Sequence, residues 1–139
     1  MEEQGKYFIK DYDVAHMPSY SNYPRALLDA MQVRGLIGTR GPLVDEDVNV
    51  SAFQLDPGTH YDDHAHPFPE VYVFLSGTAE CRWGGEIFDA VAGTVTHCPP
   101  NVPHAMRVTS DEPLKAIIIS WAPNGDRSVW DHKSELLNP

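Results

Sequence analysis

Residues 58–77 read Gly58-Thr59-His60-Tyr61-Asp62-Asp63-His64-Ala65-His66-Pro67-Phe68-Pro69-Glu70-Val71-Tyr72-Val73-Phe74-Leu75-Ser76-Gly77. Side chains of an extended chain alternate between two faces, so His64 and His66 point the same way. Glu70 keeps that parity after the Pro67-Phe68-Pro69 interruption, and Tyr72 and Phe74 keep it beyond. Two imidazoles and a carboxylate on one face supply most of a transition-metal site.

A second stretch completes the set. Gly93, Pro99, Asn101 and His104 follow at short intervals, and His104 can join the first three only through folding. Asn101 follows Pro99-Pro100, and asparagine tolerates the left-handed backbone angles that turns can require. The donors His64, His66, Glu70 and His104 suit one divalent transition metal ion: Fe²⁺, Ni²⁺, Mn²⁺, Co²⁺ or Zn²⁺. His16, His60 and His97 fit no ligand position and read as structural or surface residues. Strand parity also puts Ala79, Cys81 and Trp83 inside, with Glu80 and Arg82 outside; Met106 faces in and Arg107 out. The resulting cavity is apolar and aromatic. Phe74, Trp83 and Met106 are its candidate pocket residues, Cys81 is a small buried hydrophobe, and Tyr72 is the best-placed proton carrier.

Outward from this stretch the pattern is of short β-forming runs at Leu36–Thr39, Val48–Leu55, Val71–Leu75, Ala79–Trp83, Ile87–Val91, Val95–Cys98, Ala105–Val108 and Leu114–Trp121. Gly41-Pro42, Asp56-Pro57-Gly58, Ser76-Gly77, Gly84-Gly85, Pro99-Pro100 and Asp111-Glu112-Pro113 separate them. Such spacing indicates a closed or sandwiched antiparallel β-fold. Before it, Pro24 opens a short helix through Met31, with Ser21 or Asn22 as cap and Leu27, Leu28 and Met31 as its buried stripe. One domain of 139 residues is thus expected: an N-terminal arm and short helix at 1–32, a β-barrel at 33–121, and a tail at 122–139. The arm carries Tyr7, Tyr12 and Tyr20 and is expected to lie over the barrel. The tail is expected to be a surface arm or dimer contact.

Twenty acidic against ten basic residues give a formal charge of −10, which argues against nucleic acid or an anionic membrane as partner. No leader pattern opens the chain, no apolar run nears the roughly 20 residues of a membrane span, and two cysteines cannot make a disulfide scaffold. A cytoplasmic protein is the expectation.

The pattern G-x5-H-x-H-x3-E-x6-G at 58–77 resembles the first motif of the cupin superfamily, and residues 93–108 resemble its second, with Asn101 and Val108 as departures. The resemblance implies an all-β fold, a cupin double-stranded β-barrel (jelly roll) with a short N-terminal helix. Within that superfamily, His-x-His-Pro-x-x-Glu-x-Tyr at 64–72, Leu75 to Glu80 and Val102 to Arg107 are similar to the small dimethylsulfoniopropionate (DMSP) lyases. That likeness implies a metal-dependent lyase acting by β-elimination on a small carboxylate, with His64, His66, Glu70 and His104 as ligands and Tyr72 as general base. Additional pocket tyrosines are implied too, with Tyr20, Tyr23 and Tyr61 as candidates. Small cupins commonly pair, so a homodimer is expected. A mononuclear iron dioxygenase uses the same ligand set, and a cupin isomerase or a small-molecule binding protein remains open, because the fold hosts many chemistries.

Overall fold

The alternating runs on either side of the 58–77 stretch become strands of two facing sheets. The structure is a computed structural model and describes residues 1–17 and 22–138. In chain order its elements are β1 (Glu3–Gln4), β2 (Ile9–Lys10), β3 (Ala15–His16), α1 (Arg25–Ala30), β4 (Met31–Gly38), β5 (Leu43–Val44), β6 (Val48–Leu55) and β7 (His60–Ala65). There follow β8 (Glu70–Ser76), β9 (Ala79–Trp83), β10 (Glu86–Ala90), β11 (Val95–Cys98), β12 (His104–Val108), β13 (Leu114–Trp121), 3₁₀ turns at Pro123–Gly125 and Arg127–Asp131, and β14 (Glu135–Leu136).

One sheet runs β10-β9-β12-β7-β14; the other runs β11-β8-β13-β6-β4-β3, with β5 added in parallel to β4. Between β6 and β9 the chain crosses from sheet to sheet at each step, and all other pairings are antiparallel. This is the expected jelly-roll barrel. Its core lies between the sheets, where Phe53, Leu55, Tyr72, Phe74, Cys81, Trp83, Met106 and Leu114 are buried. Strand parity holds on β9, with Ala79, Cys81 and Trp83 buried and Glu80 and Arg82 exposed.

Turn chemistry positions these strands. Gly77 joins β8 to β9 at φ +76°, and a Cβ there would stand 2.4 Å from the Pro113 carbonyl oxygen. Only glycine meets both demands. Asn101 adopts φ +63°, the left-handed conformation expected of it.

The structure differs from the sequence reading at several edges. The run read as Leu36–Thr39 starts earlier: β4 begins at Met31, because its backbone pairs with β6 from Met31↔Leu55 onward. A strand also forms over His60–Ala65, whose polar residues hide its β-character. Leu27, Leu28 and Met31 are buried as expected, but Asn22 does not cap α1: the cap position is Pro24, and the Asn22 side-chain amide donates to the Leu136 carbonyl. Ser21, the alternative cap, and Tyr20 lie outside the described residues. The tail does not stand off as a surface arm. Leu136 is buried, β14 pairs with β7, and the Leu137 N–H bonds the Asp63 carbonyl. Among the described residues no helix is long and apolar enough to cross a membrane.

Candidate metal centre

Each expected ligand reaches the barrel interior from a different piece of chain. His64 lies on β7, His66 just beyond it, Glu70 at the start of β8 and His104 at the start of β12. All four are buried, from 0% exposure for His104 to 7% for Glu70. Cross-strand pairing brings them together, since His104 stands directly opposite His64. Donor atoms of His66, Glu70 and His104 lie within 4.8 Å of one another. His64 is outside that tight group, but its ring centroid is 4.0 Å from that of His104.

The three imidazoles share one hydrogen-bond arrangement. His64 Nδ1 lies 2.9 Å from the Asp62 carbonyl, His66 Nδ1 2.8 Å from Phe68 and His104 Nδ1 3.0 Å from Val102. A carbonyl only accepts, so each Nδ1 carries the proton and each Nε2 is left as the ligating atom. His104 Nε2 is buried without a hydrogen-bond partner; Glu70 Oε1 stands 3.5 Å away, too far for a good bond. An orphaned buried nitrogen facing a carboxylate is costly unless a cation joins them. The donor set therefore fits a divalent ion.

Electrostatics agree. Burial raises the Glu70 carboxyl, but contacts with His104 and His66 outweigh it and bring the group down to about 2. Burial holds His64 well below its ordinary value, and the adjacent His104 adds to this. The site thus combines an ionised carboxylate with a neutral His64, the forms that coordinate metal.

Three of the aromatic candidates, Tyr72, Trp83 and Tyr61, have ring contacts with the clustered imidazoles. Tyr72 is buried on β8, its ring 6.3 Å from His104 and 5.7 Å from Phe74. Trp83 lies 5.2 Å from His104 and 5.6 Å from Tyr72, and its buried indole N–H lacks a partner. Met106 and Phe74 are buried in the same core. Tyr61 reaches the site through a β-bulge. Between His104 and Met106, β12 advances two residues while β7 goes from His64 to Tyr61, three. The extra residue turns both Tyr61 and His64 inward. Tyr61 also bonds Tyr23 through their hydroxyls.

Three neighbours escaped the sequence reading. Cys98 Sγ lies 3.3 Å from His104 Nδ1, placed there by the pairing of Cys98 with Glu70. Phe68 stacks on His66 at 4.1 Å, and Trp130 from the tail packs 5.3 Å from Phe68. Inward parity on β11 was the available signal for Cys98; nothing local pointed to Trp130. Of the remaining histidines, His60 is exposed on Asp62 and His97 is exposed beside Trp121.

Comparisons with known proteins agree with this geometry. A protein-family model described as a cupin domain matches residues 51–120. The dimethylsulfoniopropionate lyase DddQ of Ruegeria pomeroyi is 32% identical over 85 residues, covering 60% of this chain and 42% of that protein. A crystal structure of the same lyase superposes with a TM-score of 0.77 at 26% identity, over 91% of this chain and 62% of the other. The chain thus spans well under two thirds of its curated relative. Salicylate 1,2-dioxygenase from Pseudoaminobacter salicylatoxidans matches at a TM-score of 0.65 and 15% identity over 79% of this chain and 32% of the other, a likeness of fold alone. With the motif residues, the barrel and the family match in agreement, this chain belongs to the cupin family and resembles the DMSP lyases within it.

Proposed function

We propose that this chain is a metal-dependent lyase that carries out β-elimination on a small carboxylate of the DMSP type, with Tyr72 as general base. The observation that carries the reading is the convergence of His66, Glu70 and His104 donors within 4.8 Å, with Tyr72 buried on the same face of β8 as Glu70. His64 joins as the fourth ligand. The likeness to a DMSP lyase supports the substrate class.

His64, His66, Glu70 and His104 would hold a divalent ion, which would supply Lewis-acid stabilisation of the enolate charge that develops next to the substrate carboxylate. The chain's own residues do the rest. Tyr72 takes the α-proton, the C–H electrons form the new double bond, and the C–S bond breaks to release dimethyl sulfide and leave acrylate. Burial, and then the Glu70 charge, pushes the Tyr72 hydroxyl well above its ordinary range in the metal-free site. Its work as a base therefore depends on positive charge at the ligand cluster. Phe74, Trp83, Met106 and Tyr61 wall the site and exclude water.

The test is Tyr72→Phe, which removes the hydroxyl and keeps the ring. Turnover of DMSP should fall roughly 10²-fold or more with metal content unchanged. Wild-type turnover should persist under argon, and α-deuterated substrate should react more slowly if proton removal limits the rate. The same donor set serves a mononuclear iron dioxygenase. Turnover that stops under argon and survives Tyr72→Phe would establish that reading and remove this one. An isomerase or a binding protein would release no dimethyl sulfide at all.

A further inference from the structure

We propose that Trp130, from the C-terminal tail, is a positioning residue for the metal ligand His66 and acts on it through the ring of Phe68. The proposal rests on His66 as a ligand and not on the reaction that the metal serves.

Of the four expected ligands, His66 is the one that no strand carries. β7 ends at Ala65 and β8 starts at Glu70, so His66 lies in the connection between them. Its carbonyl accepts the Asn101 N–H at 2.8 Å, but no strand ladder sets the direction of its side chain. Phe68 does so instead, in two ways. Its carbonyl accepts the His66 Nδ1–H at 2.8 Å, and its ring lies on the imidazole with centroids 4.1 Å apart and planes 8° from parallel. Pro67 and Pro69 flank Phe68 and restrict the backbone, so the chain itself holds the carbonyl. It does not hold the ring. That ring is half-buried, and a cleft of about 220 Å³ lined by Gly38, Asn49 and Trp130 adjoins it, leaving room for it to turn.

Trp130 removes that freedom. Its ring packs on Phe68 with centroids 5.3 Å apart and planes at 47°. Trp130 is fixed in turn by its indole N–H, which donates to the Glu46 carbonyl at 2.9 Å, and by Val129, buried in the same 3₁₀ turn. Arg127 of that turn bridges Glu46 and Asp47, exposed ion pairs that add little by themselves. The line of contact runs from Glu46, in the loop before β6, through Trp130 and Phe68 to the His66 imidazole. Aromatic pairs are held more firmly than their buried area alone provides, and a group that orients a ligand is felt in metal affinity. A residue that merely covers Phe68 would affect stability; one that aims His66 affects the metal.

The experiment is competitive chelator titration of Co²⁺ on the full chain, read beside the visible absorption of the bound ion. Trp130→Ala should weaken Co²⁺ binding roughly 10-fold or more and alter its spectrum. Trp130→Phe, which keeps a ring over Phe68, should recover most of the affinity. Phe68→Ala should lose at least as much as Trp130→Ala. The double variant should then be no weaker than Phe68→Ala alone, because Trp130 acts only through that ring. In the metal-free chain, the His66 Nδ1–H proton resonance should broaden in Trp130→Ala. Leu28→Ala on α1 should lower stability and leave affinity and spectrum unchanged. If Phe68→Ala does not fold, Phe68→Leu takes its place in the cycle. Wild-type affinity and spectrum in Trp130→Ala would overturn the proposal, however much stability is lost, and so would losses that add in the double variant. Undiminished Co²⁺ binding by His66→Ala is a distinct result: it would remove the ligand assignment, and this proposal with it.

Discussion

The Tyr61 ring lies flat on the His64 imidazole, with centroids 3.6 Å apart and planes 9° from parallel. Residues three apart on a regular strand would face opposite ways, so the bulge in β7 creates this stack. The Asp62 carbonyl bond to Nδ1 and the Tyr61 ring together set the direction of His64 Nε2.

Tyr61→Ala should therefore weaken metal binding by about 10-fold or more, the usual effect of losing a group that orients a ligand. Tyr61→Phe keeps the stack and loses only the bond to Tyr23, so its metal affinity should stay near wild type. Competitive chelator titration distinguishes the two variants, and equal losses would remove the stacking explanation.

His66→Ala or His104→Ala should abolish stoichiometric metal binding while the barrel stays folded. The ligands sit within a core built by other side chains, so the fold does not wait for the ion. Elemental analysis and circular dichroism on the same sample provide the check. Full, tight metal loading in the double variant would contradict the ligand assignment.

Leu136→Ala should lower stability by about 2–4 kcal/mol, the cost of emptying a buried leucine site. The loss should also speed amide exchange in the segment around His64 and Ala65, because β14 pairs there. Hydrogen exchange confined to the tail itself would show that the tail does not brace the ligand strand.

The metal-free protein should lose stability in acid in two stages. Both His64 and Glu70 have folded values below their ordinary 6.5 and 4.5, so between those limits the unfolded chain binds more protons. The His64 contribution is complete above pH 6.5 and declines below it. That of Glu70 is complete above 4.5 and is lost as pH falls towards about 2. Urea midpoints from pH 8 to pH 3 should fall accordingly, and His64→Gln should remove the upper stage.

Much of the site was legible because metal ligands are chemically distinctive and strand parity is a local rule. Glu70, Tyr72 and Phe74 all face inward on β8, as alternation requires. Parity failed at Tyr61, because a bulge depends on how the partner strand pairs. β7 was hidden for a similar reason: His60-Tyr61-Asp62-Asp63 has little β-propensity, and its backbone is held by β12 and β14. The tail misled because its pairing partner lies some seventy residues away in the chain.

The sequence by itself determined the candidate donor residues, the turns and the barrel. Each depends on residue type and short spacing: imidazoles two apart, a glycine at Ser76-Gly77, apolar side chains at every second position. Tertiary structure alone decided that His104 meets His64, that Cys98 lies against His104, and that Trp130 packs on Phe68 above His66. These are contacts between strands distant in sequence, set by sheet order and register, and no local pattern in the chain encodes them.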